Sequence, residues 1–132
     1  TFSDVDVLIA NEIEAATLIS AAPSALAPRL AEALKTTVIV TLGEKGARLA
    51  GPQGRWEIGA LPIKPIDTTA AGDQFTGALA ASLDRGVTLP DALRRASVAA
   101  GLACLIPGAQ PSLQTTAAIE ARLKDLAPAV SV

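Results

Sequence analysis

The chain has 132 residues and a formal net charge of −2, so we expect one domain and, since no segment carries a long basic run, no nucleic-acid partner. It contains no histidine and one cysteine, which excludes histidine-based triads, most zinc sites and an internal disulfide, and favours a reducing, cytoplasmic location. No run of 18 apolar residues occurs, so no membrane span is expected. The absence of methionine predicts a processed product or a piece of something longer.

The predicted elements follow the order β-α-α-β-β-β-α-α-α. Four segments are predicted strands: 5–9, 37–42, 47–50 and 55–60. Five segments are predicted helices: 11–20, 24–35, 73–85, 91–105 and 115–126. In the second helix Leu26, Leu30 and Leu34 are expected on one face, and Gly86 is expected to end the third.

This order of elements predicts an α/β domain built in layers. Strand 37–42 is continuously apolar and β-branched, as is typical of a strand covered on both faces. The three consecutive C-terminal helices have to cover sheet, and strands 5–9 and 37–42 alone are little sheet to cover. We therefore expect residues 1–132 to form one part of a larger layered structure, with an incomplete sheet.

The stretch DTTAAGD, residues 67–73, places nearly bare backbone between two carboxylates. The first turn of a helix has unpaired N–H groups and a partial positive charge, so Ala70, Ala71 and Gly72 would let an anion approach the backbone closely. Asp73 could then accept the proton of a hydroxyl that attacks a bound phosphate. The residues alone equally allow Asp73 to be a helix-start acid and Asp67 a turn former.

Together with its continuation QFTGAL, this stretch closely resembles the C-terminal signature of the ribokinase-like (pfkB-type) sugar kinases. Ala70, where many members have glycine, is most similar to the ribokinase branch. The resemblance implies a layered α/β/α fold and ATP-dependent phosphorylation of a sugar hydroxyl, on ribose or a related small sugar. It also implies that Ala70, Ala71 and Gly72 form an anion hole and that Asp73 is the catalytic base.

Two shorter motifs have both a structural and a functional interpretation. Asn11 and Glu14 form an N-x-x-E pattern that is typical of a capping box and is similar to the family's motif for phosphate and hydrated Mg²⁺. Thr41, Gly43 and Gly46 belong to a T-L-G-x-x-G pattern after a strand. That pattern is typical of a tight turn and is similar to the family's ATP-contacting loop.

Further contacts come from the resemblance alone. Ser97 lies where relatives often carry Asn or His near the adenine. Relatives of the ribokinase type also bind K⁺ beside the anion hole, and an all-oxygen shell suits a hard cation. The implied ligands are the side chains of Asp67 and Ser112 and the carbonyls of Thr69, Ala103, Ile106 and Gly108. A helix stop followed by a turn explains residues 107–112 equally well.

The resemblance covers almost the whole chain but only the C-terminal half of the family, so the sugar-binding and lid part is expected to be missing. Two functions remain open. The chain could be the nucleotide-binding and catalytic half of a sugar kinase. Alternatively, it could be a truncated module that binds nucleotide, or self-associates as a homo-oligomer through an exposed sheet edge, without turnover.

Overall fold

A computed structural model describes residues 7–107 and 114–132 of the chain. Its strands are β1 (Val7–Asn11), β2 (Thr37–Thr41), β3 (Ala47–Gly51), β4 (Gly54–Ile58) and β5 (Val130–Ser131). Its α-helices are α1 (Glu12–Leu18), α2 (Leu26–Leu34), α3 (Ala71–Asp84), α4 (Leu89–Ala103) and α5 (Thr116–Arg122). Short 3₁₀ turns occupy Pro23–Ala25, Gly43–Lys45 and Leu123–Asp125.

The strands form one sheet in the order β1-β2-β3-β4-β5. Strands β1 and β2 are parallel, with Ile9 opposite Ile39, and the other neighbours are antiparallel. The parallel pair requires a crossover, which α1 and α2 supply. Within the described residues β1 pairs only with β2, so its outer edge is unpaired there.

The sheet separates two apolar cores. Ile39 of β2 faces the larger core, which contains the buried sides of α3, α4 and α5. Val38 and Val40 face the smaller core against α1 and α2. Because alternate residues of a strand point to opposite faces, β2 is buried on both, as its composition predicts. The predicted layered α/β architecture is therefore confirmed.

The prediction for one face of α2 was wrong at its last position. Leu26 and Leu30 are each 2% exposed, whereas Leu34 is 52% exposed. Four residues rotate about 40° past a full helical turn, so Leu34 lies about 80° around the axis from Leu26. The helix ends there, with Lys35 in the left-handed conformation (φ 53°).

Most predicted elements are found within two or three residues of their expected ends. Residues 5 and 6 of the first predicted strand lie outside the described residues. The third predicted helix ends as expected, because Gly86 has φ 83° and the N–H of Val87 donates to the Ser82 carbonyl. The short strand β5 was not predicted. No helix in the described part of the chain is both long and apolar enough to cross a membrane.

Candidate functional site

The first turn of α3 presents open backbone donors. The N–H of Ala71 donates to the Thr68 carbonyl at 3.2 Å, and the N–H of Gln74 donates to the Ala70 carbonyl at 3.0 Å. Between them, the N–H groups of Gly72 and Asp73 have no acceptor in residues 7–107 and 114–132. Of the three predicted donors, Ala71 is thus engaged in a turn, whereas the N–H groups of Ala70 and Gly72 have no acceptor in the described ranges.

Gly72 leaves this turn accessible. A Cβ added at Gly72 would meet no heavy atom within 4 Å, and both Gly72 and Asp73 are exposed. The dipole of the fourteen-residue helix α3 adds partial positive charge at these N–H groups. The arrangement can accept an anion at the amides while the Asp73 carboxylate stays in contact with solvent.

The segment before this turn is held by local and distant hydrogen bonds. The Asp67 carboxylate accepts from the N–H of Thr69 at 2.8 Å and also from the Thr69 hydroxyl, so Asp67 is the turn former that its position predicts. The N–H groups of Ile66 and Asp67 both donate to the Cys104 carbonyl, at 2.7 and 3.1 Å. The loop is therefore fixed to the C-terminal end of α4.

A cavity of about 190 Å³ opens beside the first turn of α3. We call it the site cavity. Its walls come from the turn after β2, the segment from 60 to 68, the start of α3 and one side of α4. It brings together six of the residues predicted from sequence: Thr41, Gly43, Gly46, Ala71, Gly72 and Ser97. Its other walls are largely apolar, which suits a planar heterocycle better than a free sugar.

Ten of the sixteen described residues that line the site cavity were not predicted from sequence. Leu61, Phe75, Gly101 and Cys104 belong to the cavity walls. Phe75 directly follows the signature and could have been found from its position one turn beyond the exposed amides. Leu61 and Gly101 are forty residues apart in sequence, and no pattern along the chain signals that they meet.

The turn after β2 has a geometry that only glycine permits at one position. Gly46 has φ 96° and ψ −132°, and a Cβ there would lie 1.9 Å from the Ile58 carbonyl oxygen. Its N–H donates to the Gly43 carbonyl, and its carbonyl accepts from the N–H of Leu42. Gly43, at φ 61°, is exposed and has open space around it. The tight-turn interpretation is confirmed, and the turn forms one wall of the site cavity.

The N-x-x-E motif is a capping box in the structure. The Asn11 side chain accepts from the N–H of Glu14 at 2.8 Å, and the Glu14 carboxylate accepts from the N–H of Asn11 at 3.0 Å. Asn11 is paired with Thr41 across the parallel strands. Both motifs therefore lie at the carboxyl ends of β1 and β2, where open α/β sheets bind ligands. Neither Asn11 nor Glu14 lines the site cavity.

Ser97 is buried at 4% exposure, and its hydroxyl donates to the Gly59 carbonyl at 2.6 Å. Cys104 follows Ser97 by seven residues. The pKa of its thiol is raised mainly by burial and to a smaller extent by the Asp67 carboxylate. Ser97 and Cys104 both line the site cavity. The α4 wall thus contributes two polar atoms, and the hydrogen of the serine is already engaged within the protein.

The expected K⁺ ligands are only partly within the described residues. Asp67 and Thr69 lie beside the end of α4 that carries Ala103 and Ile106, and the Ala103 carbonyl accepts from the N–H of Ile106 at 3.2 Å. Gly108 and Ser112 lie outside the described residues. No group of three or more acidic, histidine or cysteine side chains forms a metal cluster in the described ranges, so a cation here would have at most one or two carboxylates among its ligands.

The fold and the site define a class, the three-layer α/β proteins with a cavity at the carboxyl end of the sheet. Residues 1–116 match the pfkB family of carbohydrate kinases. The chain is 33% identical over 122 residues to a ribokinase of Lactococcus lactis, covering 92% of this chain and 40% of that protein. The chain belongs to the pfkB carbohydrate kinase family.

Solved ribokinase structures share its fold. The crystal structure of a Thermotoga maritima ribokinase superposes with a TM-score of 0.82 at 32% identity, covering 93% of this chain and 43% of that one. An Arabidopsis thaliana ribokinase complexed with ribose and ATP gives 0.80 at 31% identity, covering 90% and 41%. The chain thus spans about two fifths of the length of these relatives.

Proposed function

We propose that this chain is the nucleotide-binding and catalytic part of an ATP-dependent sugar kinase, with ribose or a related sugar as the acceptor. One observation carries the proposal: the N–H groups of Gly72 and Asp73, which have no acceptor among the described residues, open beside the cavity that the T-L-G-x-x-G turn also lines. An anion site next to an apolar slot suits a nucleoside triphosphate, whose phosphates and base need these two environments. The relatives named ribokinase support the acceptor class.

The phosphoryl transfer would use groups of α3. The sugar hydroxyl oxygen attacks the γ-phosphorus, the bond from that phosphorus to the ADP oxygen breaks, and the Asp73 carboxylate accepts the hydroxyl proton. The backbone donors at Gly72 and Asp73 would stabilise the charge on the transferring group. Since the transfer depends mainly on positioning, the main task of Asp73 would be to orient the hydroxyl.

Two cations fit this arrangement. Glu14 uses one carboxylate oxygen in the capping box, and its other oxygen and the Asn11 side-chain nitrogen have no partner among the described residues. They could hold a hydrated Mg²⁺ and a phosphate oxygen, and Mg²⁺ when bound neutralises phosphate charge. K⁺ would be held by the six groups named from the resemblance, with Asp67 shaping the loop that precedes the anion hole.

Substitution of Asp73 tests the proposal. Asp73→Asn keeps the shape and removes the proton acceptor, so we expect ribose-dependent ADP release to fall by about 100-fold or more, with ATP affinity within about threefold of wild type. A coupled ADP assay and calorimetric ATP titration measure the two quantities. Asp84→Asn, at the far end of the same helix, is the matched control and should change neither. Equal losses of turnover and ATP affinity would make Asp73 a structural residue.

The outer edge of β1, which pairs with no strand in residues 7–107 and 114–132, favours a second function for the isolated chain. A strand edge without a partner is a template for association with another chain, and the chain covers only about two fifths of its relatives. A module that binds nucleotide or self-associates without turnover would show ATP-dependent melting shifts, or a dimer in sedimentation. It would release no ADP with ribose or fructose. Sugar-stimulated ADP release by the 132-residue chain would exclude this alternative.

A further inference from the structure

We propose that Ser97 is a positioning residue that holds the segment from 59 to 66, here called the connector, against α4. In this role Ser97 sets the width of the site cavity through Gly59 and does not contact the base. We call this attachment of the connector to α4 the clamp. The consequence for nucleotide binding rests on the proposed function, whereas the clamp itself is a property of the fold.

The connector touches α4 at three points along one side of the helix. The Ser97 hydroxyl donates to the Gly59 carbonyl at 2.6 Å. One turn further, α4 approaches so closely that a Cβ added at Gly101 would lie 2.9 to 3.1 Å from side-chain atoms of Leu61. Past the next turn, the Cys104 carbonyl accepts from the N–H of Ile66. Positions i, i+4 and i+7 share a helix face, so the connector runs along this face.

The same contacts form a wall of the site cavity. Ser97, Gly101 and Cys104 line it from α4, and Leu61 lines it from the connector. The connector is followed in sequence by DTTAAGD, and the Cys104 carbonyl also accepts from the N–H of Asp67, the first residue of that stretch. Its position therefore governs both the cavity wall and the approach to the exposed amides of α3.

The hydroxyl chemistry of Ser97 favours this role over contact with the base. A serine hydroxyl has one hydrogen to donate, and that hydrogen is directed to Gly59 in a short bond at a site that is 4% exposed. The hydroxyl therefore has no second hydrogen to donate to a ring nitrogen or an oxo group of a base. Removing the hydroxyl would leave the Gly59 carbonyl without this donor and loosen the first of the three contacts.

The single cysteine of the chain reports on the clamp. Cys104 lies on the same wall and is partly exposed, so a change in its rate of alkylation by iodoacetamide, relative to wild type, reports a change in access at this wall. In Ser97→Ala we expect alkylation to be up to about tenfold faster, roughly the factor by which one hydrogen bond shifts a local opening. Gly101→Ala should also accelerate it, because the new methyl group pushes Leu61 outward. If the ratio of the variant's alkylation rate to the wild-type rate is the same at two pH values, the substitution has altered access to the thiol rather than its ionisation.

Ser82→Ala is the matched control. Ser82 is also 4% exposed, lies on α3 and does not line the site cavity, so its substitution should leave the alkylation rate unchanged. If Ser97→Ala alkylates no faster than Ser82→Ala at temperatures well below both melting points, the clamp is refuted.

Nucleotide affinity gives the second readout. Ser97→Ala should weaken ATP and inosine triphosphate by the same factor, because the loss acts through the cavity wall and not through the base. A loss specific to ATP would show that Ser97 contacts the amino group and would overturn the inference. If the wild-type chain binds neither nucleotide, the proposed function fails, and the alkylation rates still decide whether Ser97 holds the connector.

Discussion

The backbone at Gly46 makes a sharp prediction about the turn that lines the site cavity. In Gly46→Ala the new Cβ would lie 1.9 Å from the Ile58 carbonyl oxygen and 2.7 to 2.8 Å from backbone atoms of Gly59. All three are main-chain atoms, so no side-chain rotation relieves the overlap. Gly46 also has φ 96° and ψ −132°, where a side chain costs about 1–3 kcal/mol.

The overlap adds to this strain. Forcing extra atoms into a packed site costs typically about 1–3 kcal/mol, so Gly46→Ala should lower the free energy of unfolding by about 2–6 kcal/mol. That is a large part of the roughly 5–15 kcal/mol that stabilises a domain. The strand register of β3 against β4 would have to shift to remove the clash, because Ala47 pairs with Ile58.

Gly43→Ala is the matched control in the same turn. Gly43 has φ 61°, and an added Cβ would meet nothing within 4 Å. Its cost is the left-handed conformation alone, about 1–2 kcal/mol. Urea unfolding followed by the fluorescence of Trp56, the single tryptophan of the chain, measures both variants. If the unfolding free energies of the two variants differ by less than about 0.5 kcal/mol, the crowding at Gly46 does not exist.

Two further substitutions test local interactions. Asn11→Ala removes the side-chain oxygen that accepts from the N–H of Glu14, while the backbone N–H of residue 11 can still donate to the Glu14 carboxylate. The substitution should lower the unfolding free energy by about 1 kcal/mol in urea titrations, and an unchanged midpoint would mean that the cap does not stabilise α1. The second substitution concerns the Cys104 thiol, whose pKa is raised by burial and by Asp67. The folded chain therefore holds the thiol proton more tightly than the unfolded chain does. The stability that the protonated thiol contributes is lost as pH rises from the unfolded pKa of about 8.5 through the raised value. Cys104→Ala should flatten the loss of stability above about pH 8.5, and equal slopes of unfolding free energy against pH for the two proteins would contradict the raised pKa.

Features that depend on neighbouring residues could be predicted from the sequence. The capping box at Asn11 and Glu14 joins groups three residues apart, and the helix stop at Gly86 needs only a glycine that tolerates positive φ. The burial of β2 on both faces follows from its continuous β-branched composition. The signature around Asp73 identified the family because its residues are consecutive, and the family match over residues 1–116 agrees with it.

Features that join distant segments were decided only by the tertiary structure. Leu61 meets Gly101 because the connector packs along α4, and β5 exists because Val130 finds Glu57 on β4. The hydrogen bond from Ala71 to Thr68 removes one of the predicted donors, which composition alone could not indicate. Local hydrogen bonds and periodicity are encoded in adjacent residues, whereas the closeness of two remote segments depends on how all the layers pack together.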